Sequence, residues 1–216
     1  MAVYDLEEQE QLSELKAWWA RWGTLITTAA VALDLIAVGW QGWQWYQTKS
    51  SAEASVLYAG VQRAAAQGDA TKARELAGQI FEQYGRTAYG DLAALVSGKA
   101  QFDAGDLKNA EAQLSWAVEH GRDPALRDLA RMRLAVVLID QGRAEAALQQ
   151  LAAEPRPAFK AGFADVRGDA LAAQGKKTEA RAAYQAAMDA LDPNDPTDSA
   201  LRQLIKMKHD VLGVLP

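Results

Sequence analysis

Few residues of this chain have the types and spacing that catalysis or metal binding requires. His120 and His209 are its two imidazoles among 216 residues, and cysteine is absent. His120 stands beside the helix-ending Gly121, and His209 lies in the last helical stretch. Neither has a histidine four residues away or a carboxylate pair at metal-ligating spacing. There is no Gly-rich phosphate loop and no nucleophile elbow. Lack of thiols removes disulfides, thiolate zinc sites and Cys nucleophiles without choosing a compartment. A net charge of -5 and a pI near 5.1 leave no basic face to neutralise nucleic-acid phosphates. The sequence therefore predicts no enzyme, no metal, no cofactor and no nucleic-acid partner. One ionisable residue stands out by its surroundings: Asp34, inside "ITTAAVALDLIAVGWQGWQWY".

That stretch reads as a membrane anchor. From Thr24 to Trp40 the only charge is Asp34. At about 1.5 Å of rise per residue, Trp22 and Trp40 stand about 27 Å apart, close to a hydrocarbon core of about 30 Å. Trp18, Trp19 and Trp22 flank one side, and Trp40, Trp43, Trp45 and Tyr46 the other, as indoles do at headgroup level. A cleavable signal is disfavoured. The small-x-small pattern Ala52-Glu53-Ala54 lies well past the apolar run and behind bulky aromatics. Lys16 and Arg21 precede the span and Lys49 alone closely follows it, which favours a cytoplasmic N-terminus. An ionised carboxylate at the span's centre costs roughly 2.5 to 3.5 kcal/mol on insertion scales. At helical spacing Thr27, Ala30, Asp34, Ala37 and Gln41 form one stripe of polar or small residues, a face suited to another transmembrane helix. A protonated or snorkelling Asp34 without a partner remains the alternative.

Beyond Lys49 the sequence repeats. Gly68, Gly105, Gly142 and Gly175 each sit between two alanine-rich amphipathic stretches, at a period in the thirties. Two helices per unit at that period mark a tetratricopeptide-like solenoid. The unit with Gly168, Gly175, Ala180, Tyr184 and Ala187 fits that pattern best. The same offsets give Gly98, Gly105, Ala110, Leu114 and Ala117 in one earlier unit, and Ala135, Leu138, Gly142, Ala147 and Leu151 in the next. The unit around Gly68 is degenerate, as end repeats often are. After "LDPNDPTD", a last amphipathic helix near Ser199 to Val211 caps the stack. The expected fold is all-α: an arm over residues 1–22, a transmembrane helix over 23–46, and a tetratricopeptide-like α-solenoid over 47–216.

A solenoid without a catalytic constellation binds along its concave face. The first helix of each hairpin faces inward, and its register nominates Leu95, Lys99, Phe102, Met132, Val136, Ile139, Asp165 and Asp169 as a protein-binding groove. Lys99 stands nearly alone as a cation, so an extended apolar peptide or a partner helix fits better than a clamped C-terminal carboxylate.

At this point the chain resembles a known family, the YfgM-like ancillary subunits of the bacterial SecYEG translocon. The likeness runs through "YDLEEQEQLSELKAWWARWG", "VGWQGW", "AYGDLAALVSGKAQFDAGDLKNAEAQL", "LRDLARMRLAVVLIDQGRAEAAL", "DVRGDALAAQGKKTEARAAY" and "MKHDVLGVL". It implies a single-pass inner-membrane protein with its solenoid in the periplasm. The implied partners are the SecYEG translocon, a membrane-anchored periplasmic chaperone of the PpiD type, and secretory or envelope client proteins. It brings no catalytic residues, and Asp34 departs from the apolar and small residues expected in such an anchor. The function expected on this basis is a non-enzymatic adaptor acting by protein–protein interaction. A regulatory module that sequesters a signalling protein is the alternative.

Overall fold

The computed structural model describes residues 2–214, so Met1 of the expected arm and Leu215 and Pro216 of the expected solenoid lie outside the described residues. The described residues are helical with no strand, and they form two compact units, residues 1–49 and 50–216.

The first unit is the leading part of helix α1 (Ala2–Ala66). Within this helix, only 6% of the most apolar window is buried, which sets it apart from the core helix of a soluble protein. It is long and apolar enough to cross a membrane. Trp18, Trp19, Trp22, Trp40, Trp43, Trp45 and Tyr46 are all exposed, with Trp18 against Trp19 and Trp40 against Trp43. Lys49 Nζ lies 5.3 Å over the Trp45 ring, so the cation rests on one of the indoles that follow the apolar stretch.

In the second unit, the end of α1 and α2 (Ala70–Tyr84) make the first hairpin. The next three are α3 (Ala88–Asp103) with α4 (Leu107–His120), α5 (Pro124–Asp140) with α6 (Ala144–Gln150), and α7 (Lys160–Ala173) with α8 (Lys177–Asp189). Helix α9 (Pro196–Val214) closes the array and packs on α8. It starts three residues before the expected Ser199, because Pro196 has no N–H to lose in a first turn.

The four turn glycines have the geometry their spacing implied. Gly68, Gly105, Gly142 and Gly175 have φ of 74°, 78°, 75° and 76°. Each is followed by an N–H that reaches back across the turn: Asp69 to Ala64 O, Asp106 to Gln101 O, Arg143 to Leu138 O, and Lys176 to Leu171 O. That is the helix-ending closure that a left-handed residue permits. Asp69 and Asp106 then accept the Lys72 and Asn109 N–H groups and cap the following helix, whereas Arg143 and Lys176 at the same place provide no side-chain cap. Gly142→Ala should therefore lower stability by about 1 kcal/mol through backbone strain. Gly78→Ala, inside α2 with open space at its Cβ, should raise it by about 0.5 to 1 kcal/mol. Thermal melting of the two variants in detergent should move in opposite directions.

Small residues set the spacing within hairpins. A Cβ on Gly98 would crowd Leu114, and one on Gly168 would crowd Tyr184, while Ala135 and Leu151 occupy the corresponding places in the hairpin between. Ala110, Ala117, Ala147, Ala180 and Ala187 are each at most 1% exposed, which fits close helix crossing. Helix α6 has only 7 residues, against 14 in α4 and 13 in α8. Pro155 and Pro157 end it early, and a 3-10 turn over Pro157–Phe159 leads into α7.

A second repeated element joins successive hairpins. Asp91 and Asp128, near the starts of α3 and α5, are 1% and 5% exposed. Asp91 Oδ2 accepts the Arg122 and Asp123 N–H groups at 3.0 and 3.1 Å, and Asp128 Oδ2 accepts that of Arg156 at 3.1 Å. Each carboxylate thus tethers the loop that enters the next hairpin. In α7 the equivalent position, fourteen residues before the turn glycine, is Ala161.

Candidate partner-binding groove

Helices α3 and α5 face each other across an apolar cavity of about 220 Å³. Gly98, Lys99, Phe102, Asp103, Leu114, Arg133, Val136 and Val137 line it. The α3 residues Lys99 and Phe102 are on one face because they are three apart, and Arg133, Val136 and Val137 share a face of α5 for the same reason. Of the groove residues expected from sequence, the structure gathers Lys99, Phe102 and Val136 at this cavity. Leu95 is 4% exposed and belongs to the central core, which also packs against Met132 and Ile139. Met132 sulfur additionally fills the space beside Gly162.

Asp165 and Asp169 serve the end of the array. Lys208 of α9 places its Nζ 2.9 and 3.0 Å from the two Asp165 oxygens and 2.8 Å from Asp169 Oδ2. Asp169 Oδ1 accepts the Tyr184 hydroxyl at 2.7 Å, and the Lys208 ammonium lies 5.8 Å from the Tyr184 ring centre. Burial pushes the Asp165 carboxyl up, against the pull of Lys208. Burial also works against the Lys208 ammonium, but hydrogen bonds from Asp169 and Asp165 outweigh it and the pKa is raised. Burial, followed by the hydrogen bond to Asp169, pushes the Tyr184 phenol well above its ordinary value. The four side chains form one interlocked cluster that holds α9 on α7.

Lys99 is engaged within its own helix by Asp103. Arg133 differs from the other groove cation. It is half-buried, its Nη1 donates to Leu95 O at 3.3 Å, and among the described residues it has no carboxylate partner. Sequence reasoning passed over Arg133, although it was legible as the cation three residues before Val136 in "RMRLAVVLID".

The imidazoles hold structural places. The His120 ring stacks on Trp116, which stacks on Phe81 at 4.1 Å between centroids. His209 Nδ1 lies 3.0 Å from Asp210 Oδ1. Among the described residues no three His, Asp or Glu side chains gather as metal ligands would. In the first unit, Thr27, Ala30, Asp34, Ala37 and Gln41 are all exposed, and the Thr27 hydroxyl is spent on Gly23 O at 2.9 Å.

The sequence is similar to those of known proteins over nearly its whole length. A family model described as a tetratricopeptide repeat-like domain matches residues 16–214, covering anchor and hairpins together. The ancillary SecYEG translocon subunit of Escherichia coli K12 is 29% identical over 216 residues, 99% of this chain and 100% of the relative. That of Neisseria gonorrhoeae is 29% identical over 211 residues, 96% of this chain and 98% of the relative. That of Haemophilus influenzae is 29% identical over 185 residues, 86% of this chain and 90% of the relative. These relatives bear out the family resemblance read from the sequence. With its four left-handed turns, its small-residue helix crossings and a match that spans nearly all of its length, the chain belongs to the tetratricopeptide repeat-like domain family.

Proposed function

We propose that this protein is a non-enzymatic adaptor, anchored in the bacterial inner membrane beside the SecYEG translocon. It assists secreted or envelope proteins and their chaperones, including a membrane-anchored one of the PpiD type, by protein–protein interaction. The observation that carries this reading is the end-to-end similarity to ancillary SecYEG translocon subunits, in which anchor and solenoid are matched as one piece. The excess of Lys16 and Arg21 over Lys49 supports an N-terminus in the cytoplasm and a solenoid in the periplasm. The groove between α3 and α5 supplies a surface for a partner segment. The exposed stripe through Asp34 supplies one for a partner transmembrane helix, where a polar group can hydrogen-bond across helices.

Crosslinking in native membranes followed by co-purification tests this. The full chain should recover translocon subunits, and a version with an unrelated apolar span should not. Asp34→Leu should insert more readily yet recover about three- to thirtyfold less partner, from an interhelical hydrogen bond of about 0.6 to 2 kcal/mol. Recovery of a soluble signalling protein instead of translocon subunits would replace the adaptor by a sequestering module. Unchanged recovery with Asp34→Leu would restrict recognition by the anchor to shape.

A further inference from the structure

We propose that the α3–α5 groove takes an extended segment of a partner protein in which an Asp or Glu side chain stands next to an apolar one. The carboxylate pairs with Arg133 and the apolar side chain enters the cavity beside Phe102, Val136 and Val137. This deepens the reading of the groove as a partner-binding surface and rests on it.

The charge of Arg133 is the reason. A guanidinium offers five N–H donors in a planar fork suited to a carboxylate. Arg133 uses one of them, on the Leu95 carbonyl at 3.3 Å. Carboxylate pairing is available to some other arginines of the second unit. Arg143 meets Glu111 at 2.8 Å, and Arg131 has Asp128. Arg167 and Arg202, like Arg133, meet a backbone carbonyl, Leu151 O and Leu191 O at 2.6 and 2.7 Å, but neither lines the apolar cavity. The carboxylate in the same groove, Asp103, is held by Lys99. Burial accordingly pulls the Arg133 pKa down, with no carboxylate opposing it. A half-buried charge without a counter-ion is costly, and an apolar residue of similar length would pack there at no such cost. A counter-ion that arrives with a ligand removes that cost.

The cavity defines the rest of the ligand. At about 220 Å³ it is smaller than a typical small-molecule pocket of about 300 to 1,000 Å³, and it fits a single large side chain. Phe102, Leu114, Val136 and Val137 make its wall apolar. An apolar anchor with an acid beside it is therefore complementary to the groove in both shape and charge. The overall charge of -5 would otherwise repel an acidic partner, so attraction to such a segment must be local.

A synthetic library of random decapeptides with amidated C-termini, offered to the full-length protein in lipid nanodiscs, tests the proposal. Retained peptides should be enriched in Asp or Glu adjacent to Leu, Ile, Phe or Met. Replacing the acid of a retained peptide by its amide should weaken binding at least tenfold, as should Arg133→Met. Arg133→Met should leave the melting temperature unchanged or raised, so that the loss cannot be ascribed to unfolding. Lys99→Gln should have a smaller effect. A retained set with no acidic bias, an equal set retained by Arg133→Met, no retention at all, or retention only of a parallel library with free C-termini would each overturn the proposal. If Val136→Asp abolishes retention while Arg133→Met does not, the groove stands as a binding surface and the carboxylate reading falls.

Discussion

Gly168→Val should melt the hairpin formed by α7 and α8. A Cβ built on Gly168 meets three atoms of the Tyr184 ring, and valine adds two methyl groups beyond it. The ring has little room to retreat. Tyr184 is 3% exposed, its hydroxyl is held by Asp169, and Lys208 lies over its face. Overpacking at such a crossing costs about 3 kcal/mol or more. Urea denaturation followed by near-ultraviolet circular dichroism should show the midpoint falling well below that of the parent. The earlier hairpins suggest the remedy. Ala135 faces Leu151 where Gly168 faces Tyr184, so Gly168→Ala combined with Tyr184→Leu should recover most of the loss seen with Gly168→Ala alone. A Gly168→Val protein that melts like the parent would mean that this contact does not set the helix crossing.

Lys208→Met should release helix α9. It leaves Asp165, 9% exposed, and its neighbour Asp169 facing each other without the ammonium that separates their charges. Removing one partner of a buried ion pair costs about 3 kcal/mol at the lower end of the usual range, which suits a lysine side chain that is 28% exposed. Limited proteolysis should cut the loop over residues 190–195 faster, and Asp165→Asn in the same chain should restore part of the resistance, because the uncompensated charge is then gone. The pH dependence follows from the same cluster. Lys208 and Tyr184 both have raised pKa values in the folded state. Their contribution is fully present below their unfolded values of about 10 and is lost as pH rises through the folded ones. Resistance of α9 should therefore hold from neutral pH to about 10 and fail above it. Asp165, also raised, adds stability only as pH falls toward the ordinary carboxylate range, and so does not weaken the cap in mild acid.

The all-α fold was legible because its signals are local. A glycine every thirty-odd residues, small residues at fixed offsets and amphipathic stretches each act within one hairpin. The early end of α6 was equally open to reading in Pro155 and Pro157. The groove was legible only in outline. Lys99, Phe102 and Val136 could be placed on facing helices by period alone, but whether a charge is compensated depends on the neighbouring repeat. Arg133 and Asp103 lie on adjacent helices of the groove, and only the fold shows that Asp103 is already taken. Asp165 makes the same point more sharply. It shares the register of Leu95 and Met132, ten residues before the turn glycine, yet its partner is a lysine 43 residues away on a helix with no counterpart in the other repeats. Pattern placed the carboxylate, and tertiary contact gave it its role.

The substantial helix–helix contacts in the second unit join helices next to each other in the chain or two apart. Search during folding is therefore short-ranged, and a helical array of this kind is expected to reach its native state on the microsecond-to-millisecond scale. Each hairpin can also settle on its predecessor as soon as it emerges during synthesis, without waiting for distant sequence. The cluster around Lys208 is different in this respect, because α7 and α8 must already be in place before the ammonium has a seat. Completion of the array is thus recorded last, at its C-terminal end, and a truncated chain would expose that unfinished edge while its earlier hairpins were already formed.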